Sequence, residues 1–139
     1  INHIALETMA YDRAVALESG LRVTAFRVPP RDEDSDTVGF RIDGPRHSAL
    51  FIPDIDRWEK WDRSIRDLAG TVDYAFLDGT FASPAEINRP IEEIPHPLMG
   101  RTRELLHGVR AKLWFIHINN SNAEIDAPDA VKEGMTFPL

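Results

Sequence analysis

The sequence predicts an α+β or α/β fold in which helices cover one face of a mixed β-sheet. Apolar runs of strand length alternate with helical patterns along the 139 residues, which is typical of layered folds of this class. Two of the runs flank an Asp43-Gly44-Pro45 turn and predict a hairpin, so the sheet should contain antiparallel neighbours as well as parallel ones. The length fits a single region, 1–139, rather than several domains.

The first half of the chain predicts one helix and three strands. Residues 4–19 space their apolar side chains at helical intervals and end at a glycine, which indicates a helix packed on one face. Residues 22–28 are rich in β-branched and aromatic side chains and stop at two prolines, as a strand does. The acidic stretch 31–36 predicts a solvated loop, and the runs 38–42 and 49–52 predict the strands of the hairpin.

The second half predicts further helices and strands around one long loop. The predicted elements, in order, are a helix 56–68 capped by Asp56, a strand 72–77, a loop 82–98, a helix 98–108, a strand 112–116 and a short closing strand 135–137. Four prolines in the loop disfavour regular structure there, and Gly70 and Gly108 are typical helix stops. Trp58 and Trp61 share one helix face and should cover the sheet.

Composition and charge exclude several kinds of partner and site. The formal net charge of −7 opposes binding to nucleic acid or to an anionic membrane surface, because both carry phosphates. The chain contains no cysteine, so any metal must be held by histidine and carboxylate ligands. No apolar run reaches the ~20 residues of a membrane span, and no signal-peptide pattern is present, so we expect a cytoplasmic protein.

Three polar residues follow apolar runs at the points where strands are predicted to end. They are Asp54, Asp78 and His117. Because groups at strand ends in layered α/β folds project into one shared crevice, this placement indicates a common site. Each residue also has a structural interpretation, since an acidic residue after a strand often caps a helix and a histidine there is often a hydrogen-bonded core residue. The residues alone leave both interpretations open.

Five segments along the chain carry a family resemblance. They are Val38-Gly39-Phe40-Arg41-Ile42, Phe51-Ile52-Pro53-Asp54, Leu77-Asp78-Gly79-Thr80-Phe81, Ile94-Pro95-His96-Pro97-Leu98-Met99 and Phe115-Ile116-His117-Ile118-Asn119-Asn120-Ser121-Asn122. In this order they resemble the C-terminal half of the metallo-β-lactamase fold, and more narrowly the branch that contains coenzyme PQQ synthesis protein B. The resemblance implies one half of an αββα sandwich, with a mixed sheet and helices on its outer face.

The resemblance implies roles for four residues. Asp54 falls where the family presents a bridging metal carboxylate, and His117 falls where the last strand delivers the final metal-binding histidine, so both are expected metal ligands. His96 falls where the ribonuclease Z branch has a histidine that aids proton transfer, although a solvent-exposed loop histidine between two prolines is an open alternative. Asp78 falls beside the site, where it would orient a ligand histidine. His96 and Asp78 are therefore the expected catalytic residues.

The chain departs from the family pattern at two places. The His-x-His-x-Asp-His signature of the N-terminal half is absent and the chain begins at Ile1 without a methionine, so we expect a fragment whose N-terminal half is missing. Pro29-Pro30 stands where binuclear relatives have a histidine, which weakens the first metal site. The resemblance therefore implies one metal ion rather than two, either Zn or Fe(II), and a fragment that is inactive alone.

Two functions of different classes are consistent with the sequence. The first is a metal-dependent hydrolase, or by branch a non-haem iron oxygenase, that acts on a small-molecule substrate and has the missing N-terminal half or another copy of the chain as its partner. The second is a metal-free α/β interaction or structural domain in which Trp58, Trp61 and Trp114 pack a core or a partner surface. A His-x-His-x-Asp-His motif in upstream coding sequence would favour the first.

Overall fold

A six-stranded mixed sheet runs through the centre of the computed structural model, which describes residues 4–30, 36–87 and 90–139. The strands lie in chain order across the sheet and are β1 (Ala14–Ala16), β2 (Arg22–Val28), β3 (Thr37–Asp43), β4 (Ser48–Ile52), β5 (Tyr74–Asp78) and β6 (Lys112–Ile116). The helices are α1 (Ile65–Ala69) and α2 (Met99–Leu106), with 3₁₀ turns at Glu18–Gly20, Trp58–Lys60, Pro84–Glu86 and Ile91–Glu93. The predicted mixed sheet with helices is confirmed.

The direction of the strands changes in the middle of the sheet. Strands β1 to β4 pair antiparallel, whereas β4 pairs parallel with β5 and β5 pairs parallel with β6. A parallel pair needs a crossover connection, and α1 and α2 lie in the two crossovers. The C-terminal ends of β4, β5 and β6 therefore meet at one edge of the sheet.

One face of the sheet is covered by the helices and holds the main apolar core. The side chains on this face alternate along each strand, as the twofold repeat of a strand requires. The core residues from the strands are Phe26, Val28, Leu50, Ile52, Ala75 and Leu77. Trp58 is buried in this cluster and Trp61 packs against it, which confirms that the two indoles cover the sheet. The Trp58 Nε1–H donates to the Thr102 hydroxyl at 2.8 Å, so the buried indole donor is satisfied.

The opposite face carries a row of four aromatic side chains. The strand register places Phe40 beside Phe51, Phe51 beside Phe76 and Phe76 beside Trp114. The ring of Phe137 packs on the last two, with centroid distances of 4.8 and 5.1 Å, and covers that end of the row. Within the other half of the row, Phe51 remains 37% exposed.

The predicted helix at 4–19 is wrong. Its apolar side chains do not find a core, since Ile4 and Leu6 are 87% and 94% exposed. Instead β1 pairs antiparallel with β2, and Asp12 and Ser19 adopt left-handed backbone conformations that interrupt a helix. Pairing with the unpaired edge of β2 therefore overrides the weak helical spacing.

The predicted helix at 56–68 forms only in part. Asp56 is buried and pairs with Lys60, so its side chain does not cap a helix. A 3₁₀ turn follows, and α1 begins after Ser64, whose hydroxyl accepts from the Asp67 backbone N–H at 3.2 Å. Gly70 ends the helix as predicted.

The predicted closing strand at 135–137 is also wrong. These residues form no strand, because Phe137 is held by ring packing on Tyr74, Phe76 and Trp114 rather than by a ladder of backbone hydrogen bonds. The strands 22–28 and 112–116 and the hairpin are confirmed, and most of the acidic loop 31–36 lies outside the described residues. Within the described part of the chain, no helix is long and apolar enough to cross a membrane.

Arg103 ties α2 to the segment that follows β6. Its guanidinium donates two hydrogen bonds to the Asp129 carboxylate, at 2.8 and 2.9 Å, and lies 2.6 Å from a carboxylate oxygen of Glu124. These hydrogen bonds hold the pKa of Asp129 below its ordinary value and raise the pKa of Arg103. The backbone of Asp129 and Val131 in turn bonds to Phe115, so the ion pairs help to anchor this segment along β6.

We expect Asp129→Asn to destabilise the chain in a pH-dependent way. A carboxylate whose pKa is lower in the folded state stabilises that state above its unfolded pKa of about 3.9, and loses this effect as the pH falls through the folded value. The substitution should therefore cost about 1 kcal/mol at pH 7 and progressively less as the pH falls toward 3. Urea unfolding of both chains across this range measures the difference, and a cost that does not change with pH would contradict the prediction.

Candidate metal centre

Four candidate ligands meet at the edge where the parallel strands end. Asp54 lies two residues beyond β4, Asp78 is the last residue of β5, and His117 directly follows β6. His96 comes from the loop that precedes α2. All four residues offer a ligand atom, and these atoms lie within 4.8 Å of one another. The structure thus brings together every site residue that the sequence predicted.

The cluster has a buried base and an open rim. Asp78 is fully buried and His96 is 5% exposed, whereas Asp54 is half-buried and His117 is exposed. The alternative of a solvent-exposed His96 is therefore wrong. The two flanking prolines suggested a surface loop, but the His96 ring packs inward beside Phe81. A ligand would reach the cluster from the side of Asp54 and His117.

The Asp78 carboxylate is saturated with hydrogen bonds. Its Oδ1 accepts from the Thr80 backbone N–H at 2.9 Å and from the Thr80 hydroxyl at 2.7 Å. Its Oδ2 accepts from the Ile55 backbone N–H at 3.2 Å and lies 2.7 Å from Nδ1 of His96. Four donors compensate for the burial of a carboxylate, and they leave Asp78 better suited to orienting its neighbours than to holding a metal directly.

The short contact with Asp78 sets the protonation of the His96 ring. An ionised carboxylate accepts only, so Nδ1 of His96 carries the proton in this contact and Nε2 keeps its lone pair. Nδ1 also lies 3.6 Å from Oδ1 of Asp54, so both carboxylates of the cluster lie next to the same ring. His96 can therefore accept a proton or a metal at Nε2 while its orientation is held by Asp78.

Thr80 is a site residue that the prediction missed. Its hydroxyl lies 3.2 Å from Nδ1 of His96 and 3.4 Å from Nδ1 of His117, in addition to its bond to Asp78. The Asp-Gly-Thr triplet holds the signal, because an aspartate that accepts from the N–H two residues later forms a tight turn that returns the third side chain to the carboxylate. Gly79 is needed in this turn, since a Cβ there would lie 2.8 Å from Cβ of Phe115.

The backbone at His117 adopts an uncommon conformation. Its φ of 55° lies in the left-handed region, which residues other than glycine rarely adopt. The following loop is held by buried Asn122, whose side-chain amide donates to the carbonyls of Gly79 and Thr80 at 2.8 and 3.2 Å. In this way Asn122 fixes the Thr80 turn.

Two further histidines of the described residues lie apart from the cluster. Nδ1 of His47 lies 3.7 Å from a carboxylate oxygen of Asp73, and His107 follows α2 on the surface. His3 lies outside the described residues. Neither His47 nor His107 therefore belongs to the cluster.

The donor set suits a borderline divalent metal ion. Two imidazoles and two carboxylates, without sulfur, are ligands that proteins use for Zn²⁺ and for Fe²⁺. If Asp78 serves as the hydrogen-bond acceptor described above, Asp54 and the two histidines remain as direct ligands. That is one short of a closed tetrahedral site, so a further ligand would come from water, substrate or another segment.

Comparisons with known proteins agree on one fold. The family model described as a beta-lactamase superfamily domain matches residues 2–118. The structure of Zn²⁺-bound PqqB from Methylobacterium extorquens is similar with a TM-score of 0.75 and 21% identity, over 96% of this chain and 55% of that one. The metallo-β-lactamase-fold protein YhfI from Bacillus subtilis is similar with a TM-score of 0.57 and 12% identity, over 84% of this chain and 43% of that one.

These similarities concern the fold, since both identities are low. The chain spans about half the length of the two solved proteins. A search among curated proteins found no significant match.

Asp78→Asn should destabilise the chain strongly. The amide has one acceptor oxygen where the carboxylate has two, so it opposes an N–H to at least one buried donor. We expect a cost of about 2–3 kcal/mol in urea unfolding. The matched control is Asp62→Asn on an exposed side chain, which should stay within about 0.5 kcal/mol of the wild type. Equal effects of the two substitutions would show that Asp78 does not organise the site.

Proposed function

The chain belongs to the beta-lactamase superfamily, and from this premise we propose that it carries part of the metal centre of a metal-dependent hydrolase. The observation that supports the proposal is a cluster of two imidazoles and two carboxylates. One ligand atom from each side chain lies within 4.8 Å of the others, and the residues are Asp54, Asp78, His96 and His117. Three of the four stand at the ends of neighbouring parallel strands, where catalytic and binding groups gather in layered α/β folds. The structurally similar PqqB is a Zn²⁺-bound protein, which supports metal binding by this fold.

Each residue has a distinct part in the proposed site. Asp54 and His117 form the accessible rim and would hold the metal, while His96 binds at Nε2 or transfers a proton there. Asp78 keeps His96 in the required orientation through the 2.7 Å contact with Nδ1. When bound, Zn²⁺ supplies a Lewis acid that lowers the pKa of coordinated water to about 7, whereas Fe²⁺ with open positions supplies oxygen chemistry.

We propose one metal ion rather than two. In this structure the carbonyl of Pro29 accepts from the Asp56 backbone N–H at 3.0 Å, so the residues after β2 are used to hold the loop after β4. Proline has no side-chain ligand atom, and the resemblance places a histidine of the first metal site at this point. The acidic net charge disfavours a nucleic-acid substrate, and we propose a small molecule instead.

Metal analysis tests the proposed site. Asp54→Ala and His117→Ala should each lower the amount of Zn or Fe that copurifies with the protein, because each removes one direct ligand. The measurement is elemental analysis by mass spectrometry, followed by titration of the metal-free protein with Zn²⁺ in a calorimeter. His107→Ala removes an exposed histidine outside the cluster and serves as the control, with unchanged metal content.

Unchanged metal content in both ligand variants would overturn the assignment of Asp54 and His117. A wild-type protein that takes up no Zn²⁺ or Fe²⁺ would favour the second function, a metal-free interaction or structural domain. The same titration therefore separates the two functions.

We also propose that an N-terminal αβ half of the same protein covers the aromatic face of the sheet. Exposed contiguous apolar faces are uncommon on isolated domains and mark interaction surfaces. Phe40 and Phe51 continue the aromatic row beyond the part that Phe137 covers. The solved PqqB chain is nearly twice as long as the part matched here, which leaves room in such a protein for a second half.

Phe51→Ala tests this proposed cover. The exposed part of Phe51 would become buried against a second half, so the substitution should cost about 1–2 kcal/mol more in a chain that includes that half than in the 139-residue chain. Ile125→Ala, at an exposed residue after β6, should cost the same in both. A 139-residue chain that forms dimers in light scattering, with the dimers lost in Phe51→Ala, would assign the face to a second copy and contradict the proposal.

A further inference from the structure

The Thr80 hydroxyl occupies the middle of the cluster. It bonds to Oδ1 of Asp78 at 2.7 Å and lies 3.2 Å from Nδ1 of His96 and 3.4 Å from Nδ1 of His117. Thr80 is only 9% exposed, so water competes little for these contacts. One hydroxyl thus lies within hydrogen-bond distance of the buried carboxylate and of both rings.

The direction of these hydrogen bonds follows from their acceptors. The Thr80 hydroxyl has a single proton to donate. It donates to the Asp78 carboxylate rather than to the His117 carbonyl, because the first contact is charge-assisted and shorter, at 2.7 Å against 3.2 Å. With its proton donated to Asp78, the Thr80 oxygen can only accept from His117. A hydrogen bond between the two side chains then requires the His117 proton on Nδ1.

We propose that Thr80 is a positioning residue whose hydroxyl links the Asp78 carboxylate to the His117 ring, a link that we call the relay. One buried carboxylate then sets the tautomers of both site histidines. Asp78 acts on His96 directly through Oδ2 and on His117 through the Thr80 hydroxyl on Oδ1. Both rings are then protonated at Nδ1, and both keep the Nε2 lone pair for a metal. The use of these lone pairs rests on the proposed metal site, whereas the tautomers themselves do not.

The relay matters most for His117 because its ring is exposed. Free histidine in water exchanges between its two neutral tautomers, and only one of them presents the correct nitrogen to a metal. The Thr80 hydroxyl lies 3.4 Å from Nδ1 of His117, so this contact acts on the tautomer of the exposed ring. Groups that fix a ligand histidine in this way typically contribute about 10- to 100-fold to metal affinity.

Thr80→Val provides the test, because valine keeps the shape of threonine and lacks the hydroxyl. The tautomers are read from the ¹⁵N chemical shifts of the imidazole nitrogens in long-range ¹H–¹⁵N spectra of the metal-free chain, at a pH where free histidine is neutral. In the wild type, both His96 and His117 should show a protonated Nδ1. In Thr80→Val, His117 should lose this preference while His96 keeps it, and Thr80→Ser should restore the wild-type pattern.

The two rings therefore serve as probe and internal control. A general disturbance of the site would shift His96 as well, whereas loss of the relay shifts His117 alone. Asp78→Asn should alter both. A wild-type His117 with its proton on Nε2, or a Thr80→Val spectrum in which His117 is unchanged, would overturn the relay. The wild-type spectrum decides the first point even if the valine variant does not fold.

Zinc affinity provides a second readout and separates this inference from the proposed function. Calorimetric titration with Zn²⁺ should show binding about 10- to 100-fold weaker in Thr80→Val than in the wild type, with recovery in Thr80→Ser. Wild-type protein that shows both Nδ1 tautomers and binds no zinc would defeat the metal site and leave the relay intact. Zinc binding of equal strength in wild type and Thr80→Val would contradict a contribution of the relay to metal affinity and leave the metal site intact.

Discussion

The buried carboxylate of Asp78 is the constraint around which the end of the sheet is arranged. A carboxylate without solvent needs several donors to remain in the folded state, and Asp78 obtains four. They come from Ile55 after β4, from Thr80 in the turn after β5 and from His96 in the loop before α2. The hydrogen bonds to this one side chain therefore hold three loops in place, and they bring Asp54 and His96 into the same cluster.

The sheet topology makes this arrangement possible. Two parallel crossovers place the ends of β4, β5 and β6 at one edge, and the helices α1 and α2 that complete the crossovers cover the apolar face. The antiparallel strands β1 to β3 extend the sheet away from the site and contribute no residue to the cluster. The same alternation of side chains that fills the core on one face produces the aromatic row on the other, so the core and the proposed docking face have a common origin.

Local pattern predicted those features that depend on neighbouring residues, and failed where distant contacts decide. The strands 22–28 and 112–116 have strong β propensity, and Asp54, Asp78 and His117 were identifiable because strand ends can be read from apolar runs. Residues 4–19 contain a weak helical spacing that pairing with β2 overrides. Thr80 was missed because its hydroxyl acquires a role only when the segments carrying His96 and His117 fold onto it from 16 and 37 residues away.

The cluster is divided into a buried base and an open rim, and the base is held by hydrogen bonds among its own residues. The hydrogen bonds that join Asp78 to Thr80 and His96 are internal to the chain, so the base is ordered by folding itself. His117 retains a left-handed backbone on the rim, and such strain persists only where the surroundings hold it. Here the next segment is tied to the Thr80 turn by the Asn119 backbone and the Asn122 side chain. A ligand that enters between Asp54 and His117 therefore meets groups that are already oriented, and the free energy of its binding is not spent on ordering them.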